Sequence, residues 1–489
     1  MASSTAGGAV AGTAAGAPAG TATAPASAPA SGSASESSVF NRTIAVVIIG
    51  SVMSVLDMTI VNVALRRLSE AFQAPLETIQ WAATAYTLAL AAVIPTAAWA
   101  MARIGAKRTY LTALVLFTLG SLLAAAAWDA GTLIAFRAVQ GLGGGLLMPV
   151  GMTMVMRAAD RERLGRAMAL SGLPIIIGPV IGPALGGWLV DTASWRWIFL
   201  VNLPMGALAL GLAAKLLRPD APRGTGAPAP RLDVPGLLML SPGLALLLFG
   251  LARGGEGGDF AAPGALAPTV AGAVLVAGFV WRALTAREPL LDLRLLGDRT
   301  FAAGIGTLAL FTCGYFGSML LGPMYWQQVQ GMSAKAAGLL GAPVGLAVGT
   351  AMQIAARRVD RVAPRRLVPA GIAVGAFGMA LSAFNVGVAD VAAWRVVGSA
   401  MVMGIGAGMV LMPTMTTASR GLPSDRMAAA STALSINAQV WASVGTALIS
   451  VLLGAAGADP AGFRLAYGAA AALLALAVLP AALLPSRRP

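Results

Sequence analysis

The sequence predicts an all-α polytopic membrane protein, and three observations carry that reading. The chain has 489 residues, of which 57% are hydrophobic and only 11% charged, whereas soluble domains carry about 25% charged residues. Apolar stretches recur along nearly its whole length, each of about 20 residues, enough at about 1.5 Å per residue to cross a hydrocarbon layer roughly 30 Å thick. The runs are continuous rather than alternating in segments of about ten residues, which argues against a β-barrel.

Taken in order, spans are expected near 43–65, 80–102, 107–127, 131–154, 166–190, 196–217, 234–252, 263–284, 301–326, 335–356, 366–386, 391–415, 428–453 and 463–484. Ahead of the first span, residues 1–38 are rich in Ala, Ser, Gly, Thr and Pro, with Glu36 as their only side-chain charge. They lack the basic start and compact apolar core of a secretory signal, so residues 1–42 are expected to form a disordered cytoplasmic tail. Fourteen crossings place both termini on one side. Arg and Lys in short loops set the orientation: loops and ends on the terminus side hold 25 basic residues, among them Arg103, Lys107 and Arg108, against seven opposite. That split points to cytoplasmic termini in the cell membrane. It also accounts for the net charge of +14 through topology and anionic lipid, without nucleic acid.

Sorting the charges leaves two inside the membrane. Asp57 interrupts the first span, and Arg137 the fourth. Counting along each helix puts both roughly 9 Å below the outer edge. A charge at such depth costs at least a few kcal/mol and normally faces a partner or a wet cavity. The two suit a structural ion pair, or charges in or beside a solute pathway.

Composition removes several function classes. The chain has no histidine and one cysteine, Cys313, so a Cys/His zinc site and a His-based triad are excluded. One Asp and one Arg at membrane depth do not supply a membrane enzyme's paired catalytic groups, so no enzyme, metal or other cofactor is expected. No G-x-x-x-x-G-K-[ST] loop is present to cradle phosphates, so energy must come from an ion gradient. The short loops and low-complexity tails offer no domain for signalling and no evident obligate protein partner.

Five stretches carry a resemblance: LDMTIVNVAL (Leu56 to Leu65), AFRAVQGLGGGLLMP (Ala135 to Pro149), GPVIGPALGGWLVD (Gly178 to Asp191), SWRWIFLVNLPMG (Ser194 to Gly206) and YWQQVQGMSAKAAGLL (Tyr325 to Leu340). In this order they resemble the signatures of the fourteen-helix drug:proton antiporters of the major facilitator superfamily. The resemblance implies the major facilitator fold: a six-helix bundle over 43–217, a linker over 218–299 with two inserted helices at the periphery, a second six-helix bundle over 300–485, and a cytoplasmic end at 486–489. It also implies alternating access around a site near mid-membrane, with small molecules, protons and lipid as partners.

Within this resemblance, Asp57 is expected to be the proton carrier or the cation-recognition carboxylate, with Arg137 tuning its affinity. Burial favours a protonated carboxylate and a nearby guanidinium an ionised one, so a changing Asp57–Arg137 separation would load and unload a proton. Gating falls to the loop residues Arg103, Gly105, Lys107 and Arg108, and to the fifth span. Gly178, Gly182 and Gly186 recur there every fourth residue to form one smooth face, beside Gly187, while Pro179 and Pro183 each remove a helix hydrogen bond. The loop departs from the family pattern at Ala102, where an acid is usual. Substrate-binding candidates are Thr59, Asn62, Gln80, Trp81, Tyr86, Gln140, Tyr325, Gln327, Asn437, Gln439 and Trp441, each of which also suits an interhelical hydrogen bond or an interfacial anchor. With no second acid in the membrane, neutral or singly cationic lipophilic compounds are the expected cargo, leaving the cell in exchange for protons. The alternatives are export of one endogenous metabolite, or import, against which the fifth-span motif argues.

Overall fold

The computed structural model describes residues 8, 31–158, 170, 173–217, 232–257, 259–287, 289–358, 362–388, 391–423, 426–457 and 459–486. Two units separate in it, Met1–Ser38 and Val39–Pro489. Most of the expected tail lies outside the described residues. The first helix, α1, nevertheless runs Ser31–Phe72, beginning ahead of the expected start at Thr43; its apolar span is Phe40–Val61.

Among the described residues the secondary structure is entirely helical, and thirteen helical stretches are long and apolar enough to cross a membrane. The expected fifth span is represented by α6 (Leu173–Thr192), half of whose side chains lie outside the described residues.

Prolines explain where spans expected as single helices come apart. The second is α2 (Leu76–Val93), a 3-10 turn over Ile94–Thr96 and α3 (Ala97–Ile104); Pro95 has no N–H to continue the ladder. After Gly105, at φ 92°, come α4 (Ala106–Ala125) and α5 (Ala130–Ala158). The sixth span divides into α7 (Trp197–Leu200) and α8 (Asn202–Leu216). The inserted pair is α9 (Val234–Gly257) and α10 (Pro263–Thr285). The ninth span is α11 (Arg299–Met319), then α12 (Leu321–Met324), then a π-helical turn over Tyr325–Val329. The rest are α13 (Ala334–Arg358), α14 (Pro364–Val386), α15 (Ala393–Arg420), α16 (Met427–Ala456), α17 (Pro460–Leu476) and α18 (Val478–Ala481).

Packing follows the small residues. Without a hydrophobic force between helices in lipid, close backbone approach must supply the contact. A Cβ at Gly143 would stand 2.7 Å from the Ala113 carbonyl oxygen and 2.8 Å from Phe117 Cα, so α5 and α4 meet backbone to backbone. One apolar cluster joins α1, α2, α4, α5 and α8 through Val47, Tyr110, Phe117 and Val150; a second, around Phe311, Tyr325, Phe463 and Leu474, lies wholly within residues 303–484. Outside, Leu119, Leu238, Val274, Leu339, Phe377 and Phe384 are exposed, an apolar shell suited to lipid. Trp128, Trp281 and Trp394 are at least 70% exposed near helix ends, where aromatic anchors belong.

Two contacts tie the halves of the chain together on the side where α5 ends and α16 begins. The Thr153 and Ser431 hydroxyls are 2.5 Å apart, and Ser431 also donates to the Pro149 carbonyl at 3.0 Å. Met352, Met412 and Ala428 enter the apolar cluster of Val150, Val155 and Met156 there.

The inserted pair packs along one seam of the chain. Its first member, α9, packs against both α2 and α16, while α10 lies against α9. Leu240 and Leu244 of α9 share an apolar cluster with Trp99 of α3 and with Ile436 and Val440 of α16. Hydropathy marks α9 as a span but cannot show which groove it fills.

Candidate functional site

The polar centre is assembled from α1, α2, α4, α5, α7 and α8. Along α5 the run Gly141–Gly145 lacks side chains on several faces. Gly141 lies against the Tyr86 backbone and Ala89 of α2, Gly143 against α4, and Gly145 against Leu90 of α2. This approach brings Arg137, one turn earlier, across α2 to α1.

Asp57 and Arg137 meet there. Arg137 Nη1 donates to Asp57 Oδ2 at 2.5 Å and to Gln140 Oε1 at 2.7 Å. Gln140 returns the contact, its Nε2 donating to Asp57 Oδ1 at 2.8 Å, and Asn202 Nδ2 donates to the same oxygen at 2.9 Å. Asn202 also donates to Ser121 Oγ at 3.0 Å, whose hydroxyl donates to the Phe199 carbonyl at 2.9 Å. Arg137 Nε donates to the Ala82 carbonyl at 3.3 Å. Its guanidinium lies 4.2 Å from the Tyr86 ring centre, a cation–π distance, and the Tyr86 and Ser54 hydroxyls are 3.1 Å apart. Asp57 and Gln140 are fully buried, and Arg137 and Asn202 1% exposed. A carboxylate with three donors, and a guanidinium sharing charge and ring contacts, together meet the condition for keeping ions out of water.

Neither charge faces lipid. Among the described residues every partner falls between Ser54 and Asn202, in the amino-terminal half. Nor is either among the residues lining the cavity on the other side of α2. That space, of about 1000 Å³, is lined by Ala83, Thr84, Thr87 and Leu88 on another face of α2, with α9, α11 and α16 completing it. One helix separates the ion pair from it.

The other candidates disperse. Thr59 is half-buried, its hydroxyl donating to the Leu56 carbonyl at 2.9 Å, and a Cβ at Gly182 would collide with it. Gly186 sits 3.3 Å, by the same measure, from Ile60 Cα, and Gly187 faces open space. Thus α6 lies on α1, and it also touches α13 of the other half. The side chains of Asn62, Gly178, Pro179 and Pro183 lie outside the described residues. Trp81 stacks on Phe249 of α9 at 5.3 Å, beside an exposed Gln80. Tyr325 is buried and its hydroxyl accepts from Gln330 Nε2 at 3.0 Å, whereas Gln327 is exposed and donates to the Pro323 carbonyl at 3.1 Å. Asn437, Gln439 and Trp441 are half-buried on α16; Asn437 Nδ2 has no partner among the described residues. Trp81, Tyr325, Gln327, Asn437, Gln439 and Trp441 do not join Asp57.

In the loop, Lys107 Nζ donates to the Ala214 and Leu217 carbonyls at 2.7 and 2.9 Å. It caps the carboxyl end of α8, a favoured place for a cation. Arg103 and Arg108 are exposed. A second ion pair fixes the ends of the inserted helices. Asp233, before α9, accepts from Arg282 of α10 at 2.7 Å and from the Gly236 and Leu290 amides. Burial is the largest single influence on this carboxyl and opposes its charge, but these bonds and the Arg282 charge together outweigh it and hold its pKa below the usual aspartate value.

Three participants in the buried network were not expected: Asn202, Ser121 and Ser54. Asn202 stands inside the quoted SWRWIFLVNLPMG block, so a signal existed for it. The serines are neutral residues in apolar helices and carry none.

A family model described as Major Facilitator Superfamily matches residues 47–446. A Mycobacterium tuberculosis protein named "Multidrug resistance protein B homolog" is 44% identical over 414 residues, covering 84% of this chain and 76% of its own. A "Putative multidrug resistance protein MdtD" of Cronobacter sakazakii is 35% identical over 422 residues, covering 84% and 86%. Among solved structures, the human organic anion transporter MFSD10 superposes with a TM-score of 0.64 at 15% identity, over 90% of this chain and 99% of that one. The proton:xylose symporter XylE gives 0.63 at 17%, over 90% and 95%. The chain belongs to the Major Facilitator Superfamily, as a multi-pass membrane transporter.

Proposed function

We propose that this chain is a multidrug exporter that expels lipophilic neutral or monocationic compounds from the cell in exchange for protons. The relatives named for multidrug resistance support the first part. One observation carries the second: the chain buries a carboxylate, Asp57, against Arg137, Gln140 and Asn202, with no exposed surface of its own. In the arrangement seen here the carboxylate is paired with the guanidinium. When the helices rock and Arg137 draws back, the carboxylate loses its counter-charge and is better accommodated with a proton. A proton taken from outside and released inside would then accompany each exchange of states. Residues 43–217 and 300–485 are the two bundles that rock, 218–299 bridges them, and the termini lie in the cytoplasm of a cell-membrane protein. The Thr153–Ser431 contact and the Met-containing cluster around it form the gate that is shut here, while the large cavity lies toward the opposite end.

The test is uptake of ethidium and of Nile red into everted vesicles under an imposed pH gradient, with a sodium gradient as control. Asp57→Asn is expected to abolish pH-driven uptake measured per amount of folded chain in the vesicles, even though the variant is less stable. Undiminished pH-driven uptake by that variant would remove the carrier role.

A further inference from the structure

We propose that an outward-facing groove between α13 and α15 is a binding site for one anionic phospholipid, with an acyl chain along the groove and the headgroup phosphate at Arg358. The groove has a volume of about 490 Å³, and all its lining residues fall between Pro343 and Met409, in the carboxyl-terminal half. It is therefore separate from the cavity beside α2, and its ligand is a resident of the bilayer rather than a cargo. The end of α13 that carries Arg358 lies on the side of the Thr153–Ser431 contact, where Met352 packs. Under the orientation proposed above, that side meets the cytoplasmic leaflet, whose anionic lipids attract arginines at helix ends. Only the name of the leaflet rests on that reading.

Residue size makes the groove. On α13, Leu346, Thr350, Ile354 and Arg358 recur every fourth residue and so stand in one ridge. Met401, Ile405 and Met409 of α15 form the facing ridge, which Leu367 of α14 continues. Between the ridges, Ala347, Ala351 and Ala355 offer only methyl groups as a floor. Glycines seat α15 on that floor: a Cβ at Gly408 would stand 2.5 Å from the Val348 carbonyl oxygen, and one at Gly404 2.9 Å from Val348 Cγ2. The seam is thus closed below and empty above. Ala351 and Ala355 are buried, whereas Leu346, Ile354 and Ile405 are exposed.

Length and charge select the occupant. From Leu346 to Arg358 the ridge rises about 18 Å, against about 15 Å for the hydrocarbon of one leaflet. The apolar run spans that leaflet and leaves the guanidinium at headgroup level. Arg358 is the one charged residue among those lining the groove, and the Thr350 hydroxyl is spent on the Leu346 carbonyl at 2.7 Å. The Arg358 side chain is exposed, with no hydrogen-bond or ion-pair partner among the described residues. Directly before Leu367, Arg365 and Arg366 are exposed in the first turn of α14, which holds no acid. Cations at that end of a helix oppose its dipole, and a phosphate there relieves the repulsion. Arginine's planar fork suits phosphate oxygens. A zwitterionic headgroup would bring its own cation to the same cluster, with no lining carboxylate to receive it. A net negative headgroup fits.

The test offers the full chain in detergent equal amounts of phosphatidylglycerol and phosphatidylcholine with identical chains, and reads the single-lipid complex by native mass spectrometry. Phosphatidylglycerol should be favoured at least about fivefold, the equivalent of about 1 kcal/mol. Arg358→Gln should bring the ratio close to one. Arg426→Gln, at an exposed arginine just before α16 on the same side, should leave it unchanged. Ala347→Trp, which fills the groove, should remove the preference; if it fails to fold, the two arginine variants decide. Glycerol phosphate in large excess, a headgroup without chains, should not displace the bound lipid. A ratio near one in the unaltered chain would overturn the proposal, as would equal losses in the two arginine variants, which would make the preference a property of the whole basic face. So would displacement by glycerol phosphate, or an undiminished preference in folded Ala347→Trp. No gradient or cargo is present, so a failure of the export reading leaves this result standing, and a failure here leaves export untouched.

Discussion

The Asp57 network makes a quantitative prediction about energy shared between two side chains. Replacing Arg137 by methionine removes the guanidinium but keeps a long apolar chain beside Tyr86. Asp57 then retains Gln140 and Asn202 as donors, at 2.8 and 2.9 Å, and loses its charged partner at 2.5 Å. Breaking a buried pair from one side costs about 3–5 kcal/mol, because the remaining charge is left uncompensated. Asp57→Asn strands the guanidinium instead, with Gln140 Oε1 and the Ala82 carbonyl as its remaining acceptors, and a comparable loss is expected. The double variant carries neither charge. It should therefore lose far less than the two single losses combined, with a coupling of about 3 kcal/mol. Unfolding of the detergent-solubilised chain by sodium dodecyl sulfate, followed by tryptophan fluorescence, measures all four corners of the cycle. Losses that add to within about 0.5 kcal/mol, the behaviour of independent sites, would refute a mutually compensating pair.

Other perturbations follow from single contacts. Gly182→Ala should impair export and stability because its methyl group collides with Thr59; Thr59→Gly in the same chain should restore both, and failure to do so would place the damage elsewhere. Gly143→Leu should lower the yield of folded protein and its thermal stability by more than about 2 kcal/mol, since α4 backbone stands in the way. Cysteines at Thr153 and Ser431, with Cys313 replaced, should cross-link under mild oxidation and stop export, reversibly on reduction; a cross-linked chain that still exports would show that the two halves need not part there. Finally, the depressed pKa of Asp233 contributes stability that is complete above the usual aspartate range near about pH 4 and fades as pH falls below it. Asp233→Asn should flatten that acid limb of a thermal-stability profile, and an unchanged limb would rule the contribution out.

How much was legible in advance depended on how strongly each residue's surroundings contradicted its chemistry. Asp57 and Arg137 were conspicuous because a charge inside an apolar run demands a reason, and helix counting put them at similar depth. Glycine spacing likewise foretold a close-packed fifth span, and Gly182 and Gly186 do rest on α1. Asn202, Ser121 and Ser54 were not conspicuous, since neutral polar residues are tolerated in membrane helices for many reasons. Tyr325 and Gln327 share one turn of the ninth span and Asn437, Gln439 and Trp441 share α16, apart from the Asp57 network.

The sequence by itself determined that this chain crosses a membrane many times, which stretches cross, and that two opposite charges go with them. Those properties follow from transfer of each segment out of water, a one-dimensional sum over residues. Only the tertiary structure decided that the two charges meet, that α2 stands between them and the large cavity, and that α9 fills the seam between α2 and α16. Such choices depend on which helix faces can approach closely, and hydropathy is blind to neighbours because every lipid-compatible face looks alike to it.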